Sequence, residues 1–592
     1  MVHFLAFVIA MAVAPAPAPT PAPTATPTGT ATPSASPTGD QLILPVVPDV
    51  GASIPPVLSA SAAPPSDIAG VNQTPFVGLS IENAVAMALS RNSDVIVAQE
   101  NRRIAQYRAV AAAGAYDVRL QIEPDYTFNA QPVTNAFFAG PGAQPVQNGE
   151  FGTTGGFTGQ TLSGTQYSLT ANASHTTNTT TINGFDPTYG TFFALNLSQP
   201  LLRGAGFDDT RRQLELSRVN AQISSDQLLI TASDTITSVL DTYYDLIAAW
   251  RNVAIQEDAY RQAKAQSQSN TRLVKAGAAA PVDVAESDAQ VYIFEDNVFS
   301  ALQNVAHLQN QLKALTLLDP ADPLWNANIV PVSAPSAVGE EPPLGDLLAA
   351  AFVHRPELDS VRQSAHSADI ELAYARGQIR PQFDLHLGVQ ENGFAGDQVN
   401  PAQNPLNALL PPGVTFPSPP AYETGKLGQA WTNAFDGRFP QYTLGATISF
   451  PLANRFGRGT LGAAAEQERS VVAQQAAVIT RIEIEARNAI QSYRSARARL
   501  AAATAERQAT QRVFEGEERK FNSGQSTTFL VLQREVSLAN ARGTELQSAT
   551  DLQKALVELD RVSGAIFAHY HIDVSSVGTA PVSFGAPIGA AK

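Results

Sequence analysis

The stretch from about Leu79 to Leu318 is echoed, element by element, between about Leu344 and Gly564. Each copy reads helix, strand, polar loop, strand, very long helix, a break at a glycine, and a second long helix. A duplication limits the chain to folds in which two like halves share one body, so it has to be settled before any single element is interpreted. It also divides the 592 residues more strictly than length alone, which would allow several domains. The expected order is a signal peptide (1–14), a Pro/Ala/Thr-rich disordered spacer (15–78), the first repeat (79–318), a connector (319–343), the second repeat (344–564) and a disordered tail (565–592).

Four segments within the repeats alternate with period two: Leu120 to Phe128, Phe193 to Ser198, Phe383 to Val389, and Thr443 to Phe450. One face is apolar or aromatic and the other carries Gln, Glu, Asp, His, Asn, Thr or Ser. In a soluble sheet such alternation separates core from water. In a membrane barrel it separates lipid from a wet lumen, with strands of about 9–11 residues. Tyr167 to Ser174 is a weaker fifth candidate, inside a polar stretch that reads as an external loop.

The helices are unusually long. Asp208 to about Ala276 has no proline and keeps an apolar helical period for about 69 residues, which is roughly 100 Å of helix. Its counterpart runs from about Gly459 to Asn522. Ile236, Leu240, Tyr243, Ile247, Trp250 and Ala254 step by four and three, as do Ile482, Ala486, Ala489, Tyr493, Ala496 and Leu500. That is a heptad seam, in which Tyr243 and Trp250 read as packing. Two shorter helices per copy complete the pattern. They span about Leu79 to Ala115 and Pro281 to Leu318 in the first repeat, and Leu344 to Gln378 and Thr527 to Gly564 in the second. A short pair laid end to end matches one long helix, as a uniform tube wall requires. Four strands cannot close a barrel, and lipid does not tolerate an open sheet edge. Several copies must therefore combine, and three would give twelve strands.

Composition narrows the partners. A formal net charge of −15 leaves no basic stripe for nucleic acid. The absence of cysteine removes disulfides and thiolate metal sites. No further run of about 20 apolar residues argues for a membrane-spanning helix. Phe4 to Ala14 is apolar and ends in Ala12-Val13-Ala14, resembling a secretory h-region with a small-residue cleavage site, although no Lys or Arg precedes it.

Two motifs invite other readings. Gly457 to Gly462 spells GxGxxG after a strand. The helix that follows leads to another helix rather than a parallel strand, so the glycines read as a turn. His569 and His571 lie in the expected disordered tail and read as solvated histidines without a carboxylate partner, and no catalytic, cofactor or metal set is apparent.

With these marks in order, the chain resembles the TolC-type outer-membrane efflux proteins (outer membrane factors) from about Leu79 to Gly564. The strand exit Gln199 to Gly204 is answered by Phe450 to Gly457. The opening Leu79 to Ala84 is answered by Pro343 to Leu348. Arg91-Asn92-Ser93-Asp94 is answered by His354-Arg355-Pro356-Glu357, and the turn Lys275-Ala276-Gly277 by Asn522-Ser523-Gly524.

The resemblance implies an α+β membrane protein. It would be a homotrimer whose twelve-stranded outer-membrane barrel, four strands per chain, continues into a long α-helical coiled-coil barrel across the periplasm. It also implies docking to a periplasmic adaptor and an inner-membrane pump, and export of small molecules or proteins. Asp283 falls at the family's acidic entrance position, with Glu286 one turn on, while Leu530 and Gln533 stand at the matching place in the second hairpin. Gly277 and Gly524 are the expected helix-turn glycines. Pro200, Gly204, Pro451 and Gly457 are the expected barrel-to-tunnel turns. The two functional classes open to such a chain are a passive exit duct of an efflux or type I secretion system and a structural coiled-coil protein of the envelope; an enzyme is not expected.

Overall fold

The computed structural model describes residues 76–132, 144–180, 182–317, 319–334, 341–400, 410–411, 413–414 and 418–572. The expected signal peptide, nearly all of the spacer and residues 573–592 of the expected tail lie outside the described residues.

The helical part forms a layered wall. The first repeat supplies α1 (Ile81–Arg91), α2 (Ser93–Ala113), α3 (Asp209–Lys275) and α4 (Pro281–Thr316). The second supplies α5 (Leu344–His354), α6 (Pro356–Gln378), α8 (Arg455–Asn522) and α9 (Thr528–Ser563), with α7 (Leu427–Phe435) in a loop between them. Helices α2 and α4 pack along one side of α3, α6 and α9 along the other, and α8 packs on α6 and α9. The heptad seam is the core of this wall. Ile236, Leu240 and Tyr243 are fully buried, and Ala486, Ala489, Tyr493 and Ala496 nearly so. Alanines at the seam allow the close approach that larger side chains would prevent.

Each opening helix, expected as one, is broken in two. Asn92 interrupts the first: its Oδ1 accepts from the N–H groups of Asp94 and Val95, and its Nδ2 donates to Leu315 O. That side chain starts a new helix and ties it to the end of α4. The second breaks at Arg355, because Pro356 disfavours a helical residue before it and suits the first position of α6. Arg355 is 5 % exposed and bridges Glu357 and Glu485, at 2.5 Å each.

Another feature is absent from the sequence reading. Strands β1 (Phe76–Leu79) and β6 (Asn328–Pro331) form a parallel pair joining the two ends of the first repeat. The Tyr243 hydroxyl donates to Leu79 O and accepts from the N–H groups of Val332 and Ser333. Trp250 Nε1 donates to Ile329 O. Both aromatic residues pack in the seam as expected, and their polar tips also hold this ribbon in place.

The larger sheet corrects the expected count of four strands. It has six, all antiparallel, in the order β2 (Arg119–Gln131), β3 (Val146–Gln160), β4 (Gln166–Asn178), β5 (Phe185–Pro200), β7 (Gln382–Gln398) and β8 (Phe439–Ser449). The four expected segments are β2, β5, β7 and β8, and most run longer than the alternation alone marks. The fifth candidate forms β4, paired within the sheet between β3 and β5. Strand β3 escapes the alternation because glycines fill both faces, Gly149, Gly155 and Gly159 on one and Gly152 and Gly156 on the other.

The register puts unlike chemistry on the two faces. One row across all six strands is Leu120, Phe157, Leu169, Leu195, Val389 and Tyr442. The next row, on the opposite face, is Arg119, Thr158, Ser168, Asn196, Gly388 and Thr443. The apolar face is largely open, with Leu120, Ile122, Tyr126, Tyr442 and Leu444 exposed. Strands β2 and β8 form the two edges of the sheet. They leave unpaired backbone groups on either side.

The C-terminal boundary also shifts. Past α9 the chain turns into α10 (Ile566–His569), whose Ile566 and Phe567 join the core of the first repeat. His569 is no longer without a carboxylate partner: its Nδ1 lies 2.8 Å from Asp560 Oδ2.

Candidate pore entrance and channel wall

Two helical hairpins end in turns of the same construction. After α3, the N–H of Gly277 donates to Val274 O and that of Ala278 to Leu273 O. After α8, the N–H of Gly524 donates to Phe521 O and that of Gln525 to Lys520 O. Each is a Schellman motif, which places the residue after the C-cap in the left-handed region. Gly277 and Gly524 have φ of 73° and 76°. A side chain there would be strained, which accounts for glycine at both turns.

The helices that leave the turns are capped by complementary halves of one device. In α4, Asp283 Oδ2 accepts from the N–H of Ala280 at 2.9 Å, and Pro281 opens the helix. In α9, the Thr527 hydroxyl accepts from the N–H of Leu530. A full capping box uses both directions, the N-cap side chain reaching forward and the third-residue acid reaching back. Each hairpin here keeps one. The acid at 283 and the leucine at 530 thus differ because the cap is supplied from opposite ends. Asp283 is half-buried and Glu286 is exposed. The structure places both on the first turns of α4.

Deeper in the wall the sequence reading missed a buried acid. Glu535 on α9 is 4 % exposed, and its Oε1 has no hydrogen-bond partner. Burial, then the charges of Asp258 on α3 and Glu518 on α8, raise its pKa to about 8. Asp258 is itself paired with Arg542 at 2.9 Å. The signal was present as an acid on the apolar stripe of α9, between Val531, Leu532 and Leu538.

At the other end of the helices, Pro200 closes β5 and Gly204 has φ of 82°. Pro451 follows β8. Gly457 is not a turn residue, since it lies inside the first turn of α8. The left-handed residue there is Asn454, whose Oδ1 accepts from the N–H of Gly457 and whose Nδ2 donates to Ile379 O. A Cβ at 457 would stand 2.8 Å from Gln378 O, so the glycine admits the end of α6 against the start of α8. Gly459 and Gly462 are helical too. No phosphate-cradling loop exists at this GxGxxG.

Among the described residues no helix is long and apolar enough to cross a membrane, and no group of three or more His, Asp or Glu is placed to hold a metal ion. The surface that could meet lipid is the apolar face of the sheet.

The overall fold is similar to that of solved outer-membrane channels. The CmeC outer membrane channel of Campylobacter jejuni is 15 % identical with a TM-score of 0.57, over 84 % of this chain and 87 % of that one. The outer membrane protein VceC of Vibrio cholerae is 15 % identical with a TM-score of 0.55, over 82 % and 96 %. The open-state MtrE outer membrane channel of Neisseria gonorrhoeae is 13 % identical with a TM-score of 0.54, over 82 % and 88 %. At such identities the likeness is one of fold. No curated protein matches the sequence. The sequence profile of the outer membrane efflux proteins, however, matches residues 163–316 and 347–565, more than half of the chain. The chain belongs to the outer membrane efflux protein family.

Proposed function

We propose that the protein is the outer-membrane exit duct of a tripartite efflux or type I secretion system, passing its cargo passively through a channel closed by three copies. The observation that carries this reading is the pair of unfinished edges on a single chain. Strand β2 ends one side of the sheet and β8 the other, and neither edge can face lipid unpaired. The helices match this arrangement. On the β2 side, α2 and α4 expose Val97, Tyr107, Tyr292 and Phe299; on the β8 side, α8 exposes Val472, Ile484 and Val513. Edge strand and edge helix therefore stand together on each flank, ready for a second copy. The apolar face of the sheet meets outer-membrane lipid and the polar face lines the lumen, while the helices extend into the periplasm towards an adaptor and an inner-membrane pump. Untwisting of the helix pairs at Gly277 and Gly524 opens the entrance, which Asp283 and Glu286 ring with negative charge.

Purified protein in a planar bilayer should give discrete channels of uniform size. A silent, soluble monomer would leave the envelope coiled-coil reading in its place. In the same measurement, the double variant Asp283→Asn/Glu286→Gln should weaken block by multivalent cations. The Asn side chain retains an oxygen for the Ala280 N–H, so the variant removes charge and keeps the cap. Unchanged block would return both residues to helix capping alone.

A further inference from the structure

We propose that the β3–β4 hairpin spans the outer membrane as part of the barrel wall, in contact with lipid hydrocarbon, so that each chain supplies six strands and a three-copy barrel has eighteen. Only the last number rests on the three-copy reading above.

The hairpin is paired over its full length on both sides. Strand β3 pairs with β2 from Arg119↔Thr158 to Gln131↔Val146, and β4 pairs with β5 from Gln166↔Ser198 to Thr176↔Thr188. An external flap has no need of such register. The chemistry is also in phase. Phe157 and Leu169 continue the apolar row from Leu120 to Leu195, and Thr158 and Ser168 continue the polar row from Arg119 to Asn196. A shift of one residue in either strand would exchange the two faces. Among the apolar-face residues of the hairpin, Phe151 and Phe157 are exposed, less than those of β2 and more than those of β5 and β7. The face is therefore continuous with the surface the other four strands offer to lipid.

The opposite face is held by polar side chains. Asn172 Nδ2 donates to Thr154 Oγ1 at 2.9 Å, and Asn196 Nδ2 donates to Ser168 Oγ. These cross-strand bonds suit a wet lumen. On the apolar face Tyr167 lies over Gly159, covering backbone that glycine would leave open. Six is an even count, so β2 and β8 of neighbouring copies still meet antiparallel. Barrel diameter grows roughly linearly with strand number, so eighteen strands give an exit about half as wide again as twelve.

The chain has no cysteine, so single substitutions report directly on exposure. We would place Phe157→Cys and Leu169→Cys on one face, Thr158→Cys and Thr170→Cys on the other, and Leu195→Cys on β5 as the lipid reference, in reconstituted full-length protein. The 158 and 170 sites should react with a charged, water-soluble maleimide about tenfold or more faster than 157 and 169, which should match the 195 reference. A membrane-dissolved maleimide should reverse that order. Equal labelling of all four hairpin sites from water, with 195 protected, would overturn the proposal. The mass of the purified assembly separates the two ideas. Alternating labels in an assembly of another size keep the hairpin in the wall and remove the count of eighteen. Three copies without alternation remove the hairpin instead.

Discussion

Glu535 shows what an oligomeric wall of helices asks of single residues. Its carboxyl is buried, lies near two other acids, and titrates near pH 8 rather than near 4.5. A carboxyl whose folded pKa exceeds its unfolded one favours folding while both states are protonated. That advantage is lost as pH rises from about 4.5 to about 8, where the unfolded chain ionises first. Glu535→Gln should therefore leave stability at pH 4 nearly unchanged and raise it at pH 8 by roughly 1–3 kcal/mol. Unfolding midpoints at the two pH values check this, and an equal shift at both would contradict it. The sequence displayed Glu535 on an apolar stripe, yet nothing in its spacing tells which helices cover it. Asp283 was legible as an acid after a turn glycine. Its bond to the Ala280 N–H, and the reciprocal bond from Leu530 to Thr527, needed the backbone.

At the scale of elements, the long helices and their seams could be read closely, because a heptad repeated over dozens of residues leaves few alternatives. The breaks at Asn92 and Arg355 were harder. Asn92 makes one break by capping the helix that follows and Pro356 makes the other, and the bonds that tie the two breaks to the rest of the fold reach partners more than 100 residues away, Leu315 and Glu485. The ribbon of β1 and β6 was hidden for another reason: four-residue strands lie below any useful periodicity. Tyr243 measures how firmly it is held. Tyr243→Phe keeps the ring in the seam and leaves Leu79 O, Val332 N and Ser333 N without their shared partner. It should cost about 1–3 kcal/mol, and the amides of Val332 and Ser333 should exchange hydrogen faster than those of the neighbouring α3. Loss of stability without faster exchange there would place the effect in ring packing. Strand β3 is the clearest case of illegibility, since its glycines erase the contrast between faces that marks its neighbours in the larger sheet.

Over the whole molecule, the duplication proves to be an argument about assembly. Each repeat contributes strands and a long helical hairpin to a wall that begins at β2 with α2 and α4 and ends at β8 with α8. The family places that wall among outer-membrane efflux proteins, and its two edge strands are the proposed joints between copies. The direct measurement is a cysteine cross-link between those edges, with Ile122→Cys on β2 combined in turn with substitution of Tyr442, Leu444 or Ala446 on β8. The account predicts that one of these pairs oxidises in membranes to a ladder of two and then three covalently joined chains, and no further. Monomer alone, or a ladder that continues past three, would contradict it.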